Sequence, residues 1–517
     1  MKRKILSTLL AAAMTATLLA GCTGGNTPAE QPTTDTKTET PATTDETPVV
    51  EDTTEPSDDL VTLRVMRRCF NLGTTSEERT KEVQDAINAY IADKIGVEIE
   101  LQDISADYET KASLAIANQE VDLVWTAAWE STIGTKDLYA ANAAKDITDL
   151  IVGTDLYNSM DATTWEATQY GGRNYFIPVY KDNVEGYNIM FRQAFLDENN
   201  IDISGVKELA DLTPILAAAK DAGLKYPFLT QKTAMFYRWY IDSFDFFTGD
   251  ASSNWVAVSR DSDEVVDTVL TDEYREFCNL IAEWAEAGYI SEEEATKETS
   301  DQATSSEDWA VSWWTDIPNN GEANGRYGQE VTMVKATENY LHTDSALGSC
   351  YAIAASASDE ATKAAIDFMG LLYTDKTLAD LYTFGIEGVD FNYDENGYVA
   401  KVPDATYNHS MWESANATVV TCEAENPYTP EMYKNFNGSA LISCANGFQF
   451  DKTPVEDSYA ACQNVFDSYG FLLENGGVAA ADVDAKIAEY QAALDAAGYQ
   501  DVLAEFQSQY DAWKASK

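Results

Sequence analysis

Histidine is almost absent from this chain of 517 residues: His342 and His409 are the only two, and they lie far apart. None of the seven cysteines stands in a Cys-x-x-Cys pair, and no Cys/His spacing suits a structural zinc. Also missing are the Gly-x-Ser-x-Gly elbow, His-Glu-x-x-His, the phosphate-binding loop and the dinucleotide fingerprint, so no catalytic motif is visible. Positive charge is scarce, with 34 basic against 87 acidic side chains and a net charge of −53. Such a surface repels phosphates and anionic head groups, which excludes nucleic acid and an anionic membrane face as partners; solubility outside the cell is reason enough for the acidity. Some pair of carboxylates always lies at hydrolase spacing among so many, so their presence says nothing about glycoside hydrolysis. Long apolar runs are lacking too. The uncharged stretch Ile5 to Ala20 is too short to span a bilayer.

What is present begins with that stretch. Lys2, Arg3 and Lys4 precede it and Leu19-Ala20-Gly21-Cys22 closes it, the pattern of an export signal. The last four residues resemble the lipobox of bacterial lipoproteins, which implies cleavage before Cys22 and a diacylglycerol on its sulfur. From Thr23 to Asp59 the chain is Thr, Pro, Glu and Asp with almost nothing apolar, a disordered tether. At about 3.1 Å per residue it reaches on the order of 100 Å. Six cysteines then remain: Cys69, Cys278, Cys350, Cys422, Cys444 and Cys462. An even number in an exported chain permits disulfides, and buried thiols packing as small hydrophobes fit equally well.

Hydrophobic residues at 45% supply a full core for the rest. Val61 to Met66 alternates like a strand, and Glu77 to Ile95 carries Val83, Ile87 and Ile91 at helical spacing before Gly96. Val97 to Leu101 is a second strand, Tyr108 to Ala117 a second helix and Val121 to Trp125 a third strand. Strands alternating with helices predict a parallel α/β sheet with ligands beyond its carboxyl ends, here Arg67 to Leu72 and Trp125 to Trp129. Further helices are predicted over Gly205 to Ala222, Asp272 to Ala287 and Asp359 to Leu372, with two more from Ala480 to Lys517 divided by Gly498.

The strand-helix-strand opening, "VDLVWTAAW" and "YFIPVYKDNVEGYNIMFRQAFLDE" resemble the amino-terminal lobe and interlobe crossing of extracellular solute-binding proteins of ABC importers. "GSCYAIAASASDEATKAAIDFMGLLYTD" is similar to their return strand and helix, and "YTFGIEGVDFNYDENGYV" to a subfamily assigned mostly to saccharide uptake in Gram-positive bacteria. The resemblance covers Val61 to Lys517. It implies two lobes, each a mainly parallel sheet flanked by helices, joined by a hinge. The expected boundaries are a signal peptide at 1–21, a tether at 22–59, lobe 1 from 60–182 and 340–400, and lobe 2 from 183–339 and 401–517. The expected function is capture of a carbohydrate, an oligosaccharide rather than a monosaccharide, and its delivery to a permease by a lipid-anchored monomer that is not an enzyme and needs no cofactor. A peptide or other polar solute, or a surface carbohydrate-active enzyme, is the alternative.

Sugar rings stack on aromatic planes while their hydroxyls need short-reach polar groups. Arg67 and Asn71 follow the first strand, with Arg68 between them, and Trp125 and Trp129 follow the third. Tyr180, Asp182 and Tyr187 lie at the presumed crossing, beside Lys181. Trp239 follows Tyr237 and Arg238 in an aromatic cluster. Trp313, Trp314 and Asp316 close a short apolar run, where one tryptophan of the pair should face the core. Glu387 sits between glycines in Gly385-Ile386-Glu387-Gly388. All twelve block out a ligand site. Asn392-x-Asp394-x-Asn396-Gly397 imitates half an EF-hand loop, but Pro403 holds the twelfth position, so a hairpin turn is the better reading.

Overall fold

Alternation makes Val61–Arg68 a strand with Leu63 and Val65 in the core. Ser76 caps the following helix, Glu77–Ile95, by accepting a hydrogen bond from the Arg79 N–H, and Glu77 and Glu78 favour its dipole. Gly96 ends the helix at φ 66°, a left-handed conformation that suits glycine. The computed structural model describes residues 60–70, 76–231, 234–246, 254–296, 307–318, 321–407 and 409–517. Cys22, Asn71 and the tether lie outside them.

The first sheet orders its strands Val97–Ile104, Val61–Arg68, Leu123–Thr126, Cys350–Ile353 and Phe176–Pro178. All run one way except Cys350–Ile353, which is antiparallel to both of its neighbours. The second sheet runs Val331–Lys335, Tyr187–Arg192, Trp309–Thr315 and Tyr226–Phe228, and there Tyr187–Arg192 alone is reversed. Each reversed strand is the one by which the chain enters that lobe from the other. It must start at the edge where its neighbours end, so it pairs antiparallel without a long crossover. The two-lobed α/β architecture is thus the expected one, with a single reversed strand inside each sheet.

Two hydrophobic cores mark the lobes. One joins Leu63 through Tyr180 with Leu347 through Val420, the other Tyr187 through Tyr340 with Ala445 through Tyr510. The expected second boundary at 400 needs moving. Residues 401–420 stay with the first lobe because Tyr407 is buried there, donating its hydroxyl proton to Tyr382 O at 2.9 Å, and the Ala417 N–H bonds Tyr180 O at 2.8 Å. The chain therefore crosses a third time after Val420, through the Pro430–Gly438 helix, whose Asn437 side chain bonds Lys181 O at 2.6 Å.

The carboxyl end is two helices, Val483–Ala496 and Tyr499–Ser516, parted at Gly498 with φ 91°. Asn392 to Gly397 turns the hairpin between Phe391–Tyr393 and Val399–Lys401, where the Asp394 carboxylate accepts the Asn396 and Tyr398 N–H groups. Among the described residues Cys278, Cys350, Cys422 and Cys462 are buried free thiols, Cys444 is an exposed one, and Cys69 is buried.

Inside the first lobe Arg67 donates to Asp103 at 2.5 Å and to Tyr382 O at 2.8 Å, with its guanidinium 4.1 Å from the Tyr382 ring. His409 Nε2 lies 3.2 Å from the same aspartate. Burial would raise the Asp103 carboxyl, but the charges of Arg67 and His409 outweigh it and hold it well below the usual carboxylate range. Arg67→Met leaves Asp103 buried with one cation fewer. It is expected to destabilise the first lobe by about 3–5 kcal/mol, read as a lower urea midpoint.

Candidate functional site

A cleft of about 1350 Å³ opens between the two cores, on the side where the forward strands of both sheets end. Its floor is the pair of crossing strands. Glu185 and Tyr340 exchange backbone N–H···O bonds, each 2.8 Å, and so lie side by side. The Glu185 carboxylate is the centre of the floor. It accepts the Tyr187 hydroxyl at 2.5 Å and the Tyr237 hydroxyl at 2.7 Å, and His342 Nε2 lies 2.6 Å from its other oxygen. Burial acts to raise its pKa, but His342 and the two tyrosine hydroxyls outweigh that and hold it at about 2. Burial also acts to lower His342, and Glu185 reverses the sign, so the imidazole is raised.

The first-lobe wall carries Trp129, 47% exposed, with its indole N–H tied to Gly348 O at 2.7 Å. Phe70, Trp125 and Trp412 pack around it with ring centres 4.7 to 6.5 Å apart. Arg68 lies 4.6 Å over Phe70 and pairs with Glu130, whose carboxyl burial pushes up to about 7 against the pull of that arginine. Lys136 of this wall reaches Asp344 of the floor at 2.9 Å. In the second lobe the short Met235–Trp239 helix presents Tyr237 and Arg238, the latter 3.9 Å over the Trp313 ring.

Of the twelve expected residues, Trp129, Asp182, Tyr187 and Trp314 line the cleft. Seven are elsewhere. Arg67 is sealed in its ion pair, because alternation along the strand turns it inward and leaves Arg68 on the cleft side. Trp125 has no exposure and bonds Ser349 Oγ at 3.0 Å, one layer behind Trp129. Tyr180 is buried beneath the crossing. Trp239 packs on the second core, and Trp313 lies under Arg238 while its neighbour Trp314 faces the cleft. Asp316 is held by the Asn188 and Asn339 amides at 3.0 and 2.8 Å. Glu387 is exposed on a first-lobe turn away from the cleft; the acid used at that corner is Asp390, which accepts the Ile386 N–H at 2.8 Å. Asn71 lies outside the described residues.

Sequence reasoning missed Glu185, His342, Asp344, Lys136 and Trp412. Glu185 lay in full view within the crossing segment "YKDNVEGYN", but nothing local distinguishes it from other acids, and its partner His342 is 157 residues away.

Two α/β lobes, three crossings and a cleft between the lobes are the architecture of a two-lobed binding protein. Residues 85–389, more than half of the chain, match the family of bacterial extracellular solute-binding proteins, and the chain belongs to that family. Residues 444–515 match a domain of unknown function. A carbohydrate ABC transporter substrate-binding protein of Streptococcus pneumoniae is 25% identical over 446 residues, covering 83% of this chain and 87% of the relative. Among solved structures, the N-glycan transport solute binding protein NgtS of Streptococcus pneumoniae is similar with a TM-score of 0.75 and 22% identity, covering 88% of this chain and all of that one. The same protein in complex with Man1GlcNAc matches with a TM-score of 0.68 and 22% identity, over 87% of this chain and 98% of that one.

The floor sets a pH window. Glu185 is depressed on folding, so its contribution is present above about pH 4.3 and is lost as pH falls toward its folded value; His342 is raised, so its contribution is full below about pH 6.5 and is lost as pH rises through the folded value. His342→Gln should therefore lower the melting temperature most between those limits and progressively less above them. Thermal melts from pH 4 to 9 read the difference, and the two histidine signals in NMR report the raised pKa directly.

Proposed function

We propose that this protein captures an oligosaccharide in the interlobe cleft and delivers it to the permease of an ABC importer. The observation that carries this reading is the make-up of the cleft wall. Tryptophan and tyrosine come from both lobes, while four of its carboxylates stand beside cations: Glu130 with Arg68, Asp182 with Lys181, Asp344 with Lys136 and Glu185 with His342. Aromatic planes with paired polar groups suit the apolar faces and neutral hydroxyls of a sugar, whereas peptide termini need bare opposite charges. The cleft also exceeds the upper range of about 1,000 Å³ for a drug-sized ligand, which favours several linked rings. The carbohydrate transporter relative and the glycan complex of NgtS support the same reading.

Trp129, Asp182, Tyr187 and Trp314 are the residues proposed to meet the ligand, joined by Tyr237 and Arg238. Closure follows from contacts that only the closed state makes to the ligand from both lobes, with the crossing strands as hinge. The chain acts by binding, without catalysis, as a monomer held to the outer face of the membrane by lipid on Cys22.

Thermal shift of the chain from Asp59 onward tests the reading. Oligosaccharides should raise the melting temperature as their concentration passes the dissociation constant and should be recovered unchanged in mass. A shift with peptides alone, or a shortened sugar, would overturn it. Cys22→Ala should move the protein from the membrane fraction to the medium. Retention in the membrane fraction would reject the lipid anchor.

A further inference from the structure

The carboxyl-terminal stretch that matches a domain of unknown function forms part of the cleft. We infer that residues 444–515 supply a saccharide subsite, built from Trp513, the Gln449 amide and the loop that carries it; this rests on the saccharide reading of the cleft.

The loop at 447–453 and Trp513 of the last helix both line the cleft. The loop is held before any ligand arrives. The Gln509 side chain bonds both sides of Asp451, accepting its N–H and donating to its carbonyl, each at 2.8 Å. On its other flank the Gly447 N–H bonds the Thr343 hydroxyl of the crossing at 3.1 Å. Phe448 anchors it from below, with its ring 5.6 Å from Trp513 and 5.3 Å from Tyr510. A surface fixed at both ends loses little entropy on binding, as a specific site requires.

Two features point to what it binds. Trp513 is partly exposed at the cleft, with Tyr510 stacked beside it at 5.5 Å and Lys517 Nζ 4.3 Å from its ring centre, so a pyranose ring stacks on the indole by displacing the lysine. The Gln449 Oε1 atom is buried and has no hydrogen-bond partner among the described residues. A buried acceptor without a donor is costly, and a ligand hydroxyl supplies the donor. The module also faces the first lobe, because its Lys452 lines the same cleft as Lys136 and Asp137 of that lobe. A ligand seated here therefore lies between the lobes, where its contacts favour closure.

Isothermal titration of wild type, Trp513→Ala, Gln449→Ala and Trp129→Ala with Man1GlcNAc, Man5GlcNAc and malto- and manno-oligosaccharides of increasing length tests the inference. For each sugar that wild type binds at more than two rings, Trp513→Ala and Gln449→Ala should each weaken affinity by about tenfold. Melting curves without ligand report folding, and Gln449→Ala shortens a half-buried loop side chain without opening a core cavity, so it decides the outcome if Trp513→Ala unfolds. Unchanged affinity in Gln449→Ala and in a folded Trp513→Ala, with loss in Trp129→Ala, overturns the subsite and leaves the saccharide reading intact. A wild type that binds none of the sugars overturns the saccharide reading, and the subsite with it.

Discussion

One carboxylate holds the centre of this molecule. Glu185 receives Tyr187 from two residues along its own segment, Tyr237 from a helix of the second lobe and His342 from the end of the returning crossing segment. Three stretches of chain that are distant in sequence meet on two oxygen atoms. The group is buried, where a bare carboxylate would be costly, and these partners together keep it ionised. The side chains that face the cleft floor are therefore positioned by the same contacts that hold the crossing strands together. Gly186 allows this closeness: a Cβ there would meet Asn339 Oδ1 at 1.8 Å, inside any tolerable contact.

A second constraint is directional. Strands of both sheets run toward the cleft, and each lobe is entered by one strand running away from it, Cys350–Ile353 in the first and Tyr187–Arg192 in the second. Strand ends and the loops after them are thereby gathered at the cleft from both sides, which is where open α/β sheets bind ligands. Trp129 and Trp314 reach the cleft for this reason, each following or closing a strand that ends there.

Much of the fold was legible in local pattern. The Glu77–Ile95 helix, its buried stripe and its glycine stop follow from spacing and capping chemistry alone, as do the Asp359–Leu372 helix and the break at Gly498. The interval from Gly205 to Ala222 fared less well: its first part is a short 3-10 turn, Leu209–Leu212, and only Thr213–Asp221 is helical, with Pro214 at the start. The candidate site was legible in part. Trp129 and Trp314 are cleft residues and Trp125 and Trp313 are not, although each pair shares one short segment. Composition cannot separate them, because a tryptophan suits a core and a sugar platform equally well.

By itself the sequence determined an acidic exported-type chain with an α/β body, since signal pattern, charge and hydrophobic period are local properties that every residue carries with it, while the two lobes were implied by the family resemblance. It also pointed to the strand ends and the crossing segment, both of which line the cleft. Only the tertiary structure decided which of the two neighbouring arginines is sealed against Asp103, which tryptophan is exposed, and that His342 belongs to Glu185. Those outcomes depend on what lies across the gap from each side chain, and that is set by segments 36 to 219 residues away.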